Sequence, residues 1–204
     1  MRTKGERTRR RILEKAAGVF NTKGYFGSSM SDLVREIVLE KGGIYNHFGS
    51  KEELVLEAFD DAAGTMRERF QAALEGKEEA LERLFAVVDV LGGLAEDPPV
   101  AGGCPVLNTA VESNDAHMEL KERAREAMSG WLRLIGGIIK EGVRKGELRP
   151  DTDPRETASV VVATLEGAVM LSRLYDDPAY MKRSVDHLKE HLRSLAWDPK
   201  RSGA

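Results

Sequence analysis

The sequence predicts an all-α protein of about nine helices, with a three-helix N-terminal unit carried on a larger helical body. Three observations support this. Apolar residues recur at helical spacing from one segment to the next, strand-like alternation of Val, Ile and Thr is almost absent, and the segments are bounded by capping residues and glycines. With 204 residues the chain is long enough to bury a substantial core.

Taken in order, Ile12, Leu13, Ala16, Val19 and Phe20 form one stripe, and Lys23-Gly24 supplies a cationic last turn and a C′ glycine. A first helix over about Glu6 to Lys23 follows. Ser29-x-x-Asp32 opens the second helix with a capping-box pattern. A short third helix precedes Tyr45-Asn46-His47-Phe48. Ser50-x-x-Glu53 then opens a fourth helix, which runs through Leu54, Ala58 and Met66 to about Ala73. Leu81, Leu84, Phe85, Val88 and Leu91 mark the fifth, ending at or shortly after Gly92-Gly93. Two prolines and two glycines make residues 96–103 a loop. A short apolar helix is predicted over Pro105 to Ser113 and a long one over about Ala116 to Lys145, stopping at Gly146. Asp153-Pro154 and Asp177-Pro178 each place a capping carboxylate before a proline. The two final helices start there and run to about Tyr175 and about Leu195. The tail from Trp197 is expected to fray.

Charge is unevenly placed. Residues 1–51 carry eleven Lys/Arg against five Asp/Glu, a net +6, while the remainder carries −9. A basic quarter on an acidic body suits a polyanion-binding module on a carrier. Within that quarter, residues 28–51 read as two short helices around a tight turn. Met30, Leu33, Val34, Ile37, Leu39, Ile44 and Phe48 can hold them together. The second of these helices carries small and polar groups. Gly42 and Gly43 allow close approach to base edges or phosphates, and Lys41 supplies charge. Ser29, Tyr45, Asn46 and His47 offer hydrogen-bonding groups, and Lys51 sits in the first turn of the fourth helix, whose free N–H groups favour a phosphate. A helix-turn-helix presents the N-terminal end of its second helix to the major groove in this way.

Ile12-Leu13, Ala16, Phe20, Gly24-Tyr25, Ser28-Ser29-Met30, Asp32-Leu33, Lys41-Gly42, Ile44-Tyr45, His47-Phe48, Ser50-Lys51 and Leu54 closely resemble the TetR family of bacterial transcriptional regulators over about residues 6–60. The resemblance implies a homodimeric, ligand-responsive factor, a repressor in its commonest form. It would bind a palindromic operator in double-stranded DNA and be released by a small-molecule effector. Two positions depart from the pattern. Val38 stands where the family has glycine in the turn, a site that favours a left-handed backbone. Glu40 stands where serine is common; its carboxylate suits the helix dipole and could accept a hydrogen bond from a cytosine amine.

The resemblance further implies that residues 52–204 bind the effector and dimerise, while residues 1–51 form the DNA-binding domain and the fourth helix connects them. Small residues Ala158, Ala163, Gly167 and Ala168 in the eighth helix, and the Met181, Val185, Leu188, Leu192, Leu195 stripe in the ninth, would allow a four-helix interface between two copies. Cys104, Leu107, Asn108, Trp131, Glu166 and Met170 are candidate ligand-contacting groups, and Glu112, polar on an otherwise apolar helix, is a further pocket candidate. Cys104 reads as a small hydrophobe capping a helix, with a redox-sensitive thiol as the alternative. His187-x-x-Glu190-His191 matches a zinc-peptidase string, but only thirteen residues follow it, too few for a downstream third ligand. No metal, cofactor or catalytic residue is expected. The alternative function is a helical enzyme or metalloprotein with a basic arm. No run approaches the roughly 20 uninterrupted apolar residues of a membrane span, and a cytoplasmic location is expected.

Overall fold

The computed structural model describes residues 3–113 and 117–197. Among these residues there are nine α-helices and no strand longer than one isolated bridge. They are α1 (Lys4–Lys23), α2 (Met30–Ile37), α3 (Lys41–Tyr45), α4 (Lys51–Leu74), α5 (Ala80–Gly92), α6 (Pro105–Glu112), α7 (Met118–Lys145), α8 (Pro154–Leu174) and α9 (Ala179–Ser194), with a 3₁₀ turn at Gly93–Ala95. The chain divides into two compact units. One is Met1–Met66 with Pro98–Arg125; the other is Arg67–Asp97 with Glu126–Ala204. The expected reader, residues 1–51, lies in the first unit, which also takes in α6 and the first turns of α7.

Local chemistry sets most boundaries. α1 begins two residues before the expected Glu6 because Thr3 and Glu6 form a complete capping box: the Glu6 amide donates to Thr3 Oγ1 at 3.2 Å and the Thr3 amide to the Glu6 carboxylate at 2.7 Å. Gly24 (φ 78) ends it. Ser29 and Asp32 form the capping box predicted for α2. At α4 the Glu53 amide donates to Ser50 Oγ at 3.0 Å, but the Glu53 carboxylate accepts from Gly49 rather than Ser50. Asp153 caps α8 as expected, accepting from the Arg155 and Glu156 amides. Asp177 works differently: Pro178 itself occupies the cap position of α9, and the Asp177 carboxylate reaches past it to the Ala179 amide at 2.8 Å.

In the first unit, Ile12, Ala16 and Phe20 of α1 pack with Leu33, Ile37, Ile44 and Phe48, all essentially buried. Met30, Val34 and Leu39 are half-buried at the rim. In the second unit α5, α8 and α9 pack on one another, burying Leu84, Val88, Leu91, Val161, Leu165, Val169, Met181, Leu188 and Leu192. Met181, Leu188 and Leu192 of the α9 stripe, and Ala158 and Ala168 of α8, expected at a face between two copies, are thus used inside the unit, because α5 and the facing helix already cover them. Trp197 itself is tied down rather than frayed, while the rest of the tail expected to fray, residues 198–204, lies outside the described residues. Its amide donates to the Glu147 carbonyl at 2.9 Å and the Arg149 amide donates to Leu195, so a single antiparallel bridge ties the chain after α9 to the turn after α7. The start expected at Ala116 for α7 falls outside the described residues. α8 is apolar and long enough by composition to cross a membrane, and half of that stretch is buried within its unit.

Candidate nucleic-acid interface and body site

Side-chain contacts from α1 brace the start of α2 and the Phe48 ring that follows α3. Lys23 at the end of α1 donates to Asp32 Oδ1 at 2.6 Å, coupling the cap of α2 to α1. This bond first, and the hydroxyl and amide of Ser29 next, hold the Asp32 carboxyl well below the usual carboxylate range. Its contribution to stability is present above the ordinary carboxylate pKa and is lost as pH falls through the depressed one. Arg9 stacks over the Phe48 ring at 4.7 Å and pairs with Glu57 on α4. Arg10 pairs with Glu14 along α1, so two of the three consecutive arginines already have carboxylate partners.

The residues expected to read DNA fall into two groups. Glu40, Lys41, Gly42, Tyr45 and Asn46 are exposed, and Gly43 and His47 half-exposed, over the start and length of α3. Glu40 is the N-cap residue and makes no side-chain capping bond, leaving its carboxylate directed outward. The Lys41 ammonium lies 5.9 Å from the Tyr45 ring centroid, and Tyr45 is 41% exposed. A Cβ on Gly42 would meet nothing within 4 Å, and one on Gly43 only the Leu39 side chain at ordinary contact distance. Neither glycine is therefore required by packing inside the chain. Ser29 and Lys51 form the second group, because both are already engaged. Ser29 holds the α2 cap, and the Lys51 ammonium donates to the carbonyls of Tyr25, at 2.8 Å, and Ser28. Two of the three Lys51 donors are thus used inside the fold, and sequence reasoning missed this because the acceptors are main-chain atoms of a loop.

Val38 is left-handed, with φ 57 and ψ 48, and its amide donates to the Val34 carbonyl. The turn therefore keeps the geometry that suits glycine and accepts a β-branched residue at a cost of about 1–2 kcal/mol.

The Gly102-Gly103-Cys104-Pro105 segment and α6 are clamped to the end of α1. Asn21 Nδ2 donates to the carbonyls of Ala101 at 3.0 Å and Gly103 at 3.1 Å. Asn108 Nδ2 in turn donates to Asn21 Oδ1 at 2.9 Å and to the Gly102 carbonyl at 2.8 Å. The buried Tyr25 hydroxyl lies 2.8 Å from Thr109 Oγ1, and the Glu112 carboxylate accepts from the Phe26 amide at 3.0 Å. Asn108 and Glu112, which the sequence suggested as pocket groups, are here cross-links within the first unit. Cys104 is buried, its sulfur accepting from the Leu107 amide at 3.4 Å as the cap of α6, and Leu107 is half-buried. The other three candidates lie in the second unit. Trp131 is buried edge-on against Phe70 at 5.8 Å, and Glu166 is buried on α8. Met170, expected to line a pocket, is 54% exposed, because it shares the outward face of α8 with Val160, Ala163 and Leu174. His187, Glu190 and His191 are exposed on α9.

Burial pushes the Tyr25 hydroxyl up to about 12; Glu112 adds to the rise, while the Thr109 bond opposes it. The folded state thus holds this proton more tightly than the unfolded chain. The stability so gained is intact below pH 10 and is lost as pH rises towards 12. Thermal midpoints measured across that window are expected to fall more steeply for the wild type than for Tyr25→Phe, which should start about 1 kcal/mol less stable at neutral pH for want of the Thr109 bond. Parallel curves would show that Tyr25 does not titrate with unfolding.

Residues 12–58 match the model of bacterial regulatory proteins of the tetR family, and residues 80–188 match the tetracyclin repressor-like C-terminal domain. A TetR transcriptional regulator from Chloroflexus aurantiacus is 42% identical and superposes with a TM-score of 0.91, covering 95% of this chain and 98% of that one. The fatty acid metabolism regulator protein of Bacillus subtilis (strain 168) is 27% identical over 78% of this chain and 79% of its own length. The HTH-type transcriptional repressor DhaR of Mycobacterium sp. (strain GP1) is also 27% identical, over 81% and 82%. Both parts of the chain, its all-helical fold and the exposed face of α3 agree: the chain belongs to the TetR family of bacterial transcriptional regulators.

Proposed function

We propose that this protein is a ligand-responsive repressor whose DNA-reading domain is residues 1–51 and whose reading surface is the exposed face of α3. Lys41, Gly42, Gly43, Tyr45, Asn46 and His47 meet the operator, Glu40 reads a base edge, and Ser29 and Lys51 hold the α1–α2 corner from which that face projects. The observation that carries this reading is the open space over Gly42, a side-chain-free position beside a lysine and a tyrosine on an otherwise well-packed motif. Two copies pair through α8 and α9, where Val160, Ala163, Met170 and Leu174 leave an apolar, exposed strip on α8. Each copy then reads one half of a palindrome. Residues 52–204 bind the effector, and the effector weakens DNA binding by preferring the dimer geometry that does not fit the operator. The protein is a regulator rather than an enzyme, and it acts in the cytoplasm, where the chromosome is.

Gly42→Leu tests the surface. Filling open space, it should leave the fold intact and raise helix propensity by up to about 1 kcal/mol. Binding to a duplex selected from a random pool, followed by fluorescence anisotropy, should nevertheless weaken at least about tenfold, or roughly 1.4 kcal/mol. Undiminished binding by this variant would move the reading surface elsewhere. No salt-dependent duplex binding by the wild type would overturn the function itself.

A further inference from the structure

The left-handed Val38 is costly to the free protein and returns nothing to it. Its φ of 57 is the conformation a β-branched residue resists, and its side chain is 82% exposed, the most exposed of the large apolar residues described. The backbone bond from its amide to the Val34 carbonyl would form equally well with glycine or asparagine at this position. Neither burial nor hydrogen bonding by the side chain therefore explains the residue. It stands two positions before Glu40, the N-cap of α3, and next to Leu39, which is half-buried beneath Gly43. A backbone outlier maintained beside a binding surface is most economically explained by what it does there.

We propose that Val38 is an operator-contacting residue, its two methyl groups covering an apolar edge of the duplex beside the groove entered by α3. Two apolar groups of DNA have that chemistry: the thymine C5-methyl, which carries sequence information, and the deoxyribose edge, which does not. In this respect the turn supplies a contact as well as a bend. The inference rests on the proposed reading surface and adds a residue to it.

The test uses the full-length protein and duplexes selected from a random pool, separately with wild type, Val38→Gly and Val38→Asn. Both replacements tolerate the left-handed turn, and Asn keeps side-chain bulk without the methyls. Both variants should melt at or above the wild-type temperature, yet bind the wild-type duplex several-fold more weakly with an unchanged salt slope. A thymine preference present in the wild-type motif and lost from both variants identifies the thymine methyl. That loss should be matched by replacing the same thymine with uracil, and the replacement should not weaken the variants further. Weakened binding with an unaltered motif identifies the deoxyribose edge. Wild-type affinity in both variants overturns the proposal while leaving the reading surface standing. Failure of the wild type to select any duplex overturns both.

Discussion

Gly102→Ala is expected to lower the melting temperature by roughly 6–12 °C, on the usual scale of about 2–4 °C per kcal/mol for a chain of this size. Two effects combine. The residue sits at φ +107, where any L side chain is strained, and an added Cβ would lie 2.6 Å from the carbonyl oxygen and 2.8 Å from the carbonyl carbon of Asn21. Those are main-chain atoms near the end of α1, so relief requires α1 or the 101–103 segment to move. Moving either disturbs the Asn21–Asn108 cross-link. Strain and overpacking together should cost about 3 kcal/mol. Gly76→Ala is the matched control, with φ +70 but nothing within 4 Å of the new methyl, so it isolates the backbone term. Circular dichroism melts of the two variants decide the matter. A Gly102→Ala midpoint no lower than that of Gly76→Ala would mean that the segment has room to yield.

Lys51→Met and Lys41→Ala are expected to damage DNA binding in different ways. Lys51→Met removes an ammonium that bonds two loop carbonyls, a loss of roughly 1.5–3 kcal/mol for bonds to a charged donor. The corner that leads into α2 then loosens, and both melting temperature and operator affinity should fall. The slope of log affinity against log salt should hardly change, since the charge was already committed within the protein. Lys41→Ala removes an exposed charge that pairs with no carboxylate among the described residues, so stability should stay within about 0.5 kcal/mol. Its salt slope should fall by about one unit if the ammonium neutralises one phosphate. Anisotropy titrations at three salt concentrations separate the cases. A reduced slope for Lys51→Met with an unchanged melt would return Lys51 to the list of direct phosphate contacts.

These two experiments fall on the line between what could be read from the chain and what could not. Helix positions were largely legible because caps and apolar spacing are local. The Ser29/Asp32 box, the Asp153 cap and the glycine stops at Gly24 and Gly146 involve residues a few positions apart, and each lies where expected. The run of small and polar groups on α3 was visible for the same reason, since one short helix carries it, and the structure leaves most of them exposed. The Thr3/Glu6 box is equally local, and its Thr-x-x-Glu pattern is visible in the sequence.

The roles of Asn108, Glu112, Lys51 and Met170 were not legible. Each depends on an atom far away in sequence or on which face of a helix is covered. Asn108 could be recognised as polar on an apolar helix. Its partners, Asn21 and the Gly102 carbonyl, were supplied only by folding, and they give it a cross-linking role that the sequence did not suggest. Met170 has the right chemistry for a pocket but lies on the face of α8 left exposed.

By itself, then, the sequence determined the helices, the motif and the family, because short-range spacing governs capping, amphipathicity and the order of small and polar groups on α3. Only the tertiary structure decided which side chains serve the fold and which remain free to act. That division depends on long-range contacts: a carbonyl from a distant loop engages a lysine, an asparagine bridges two segments, and Val38 is left both strained and uncovered.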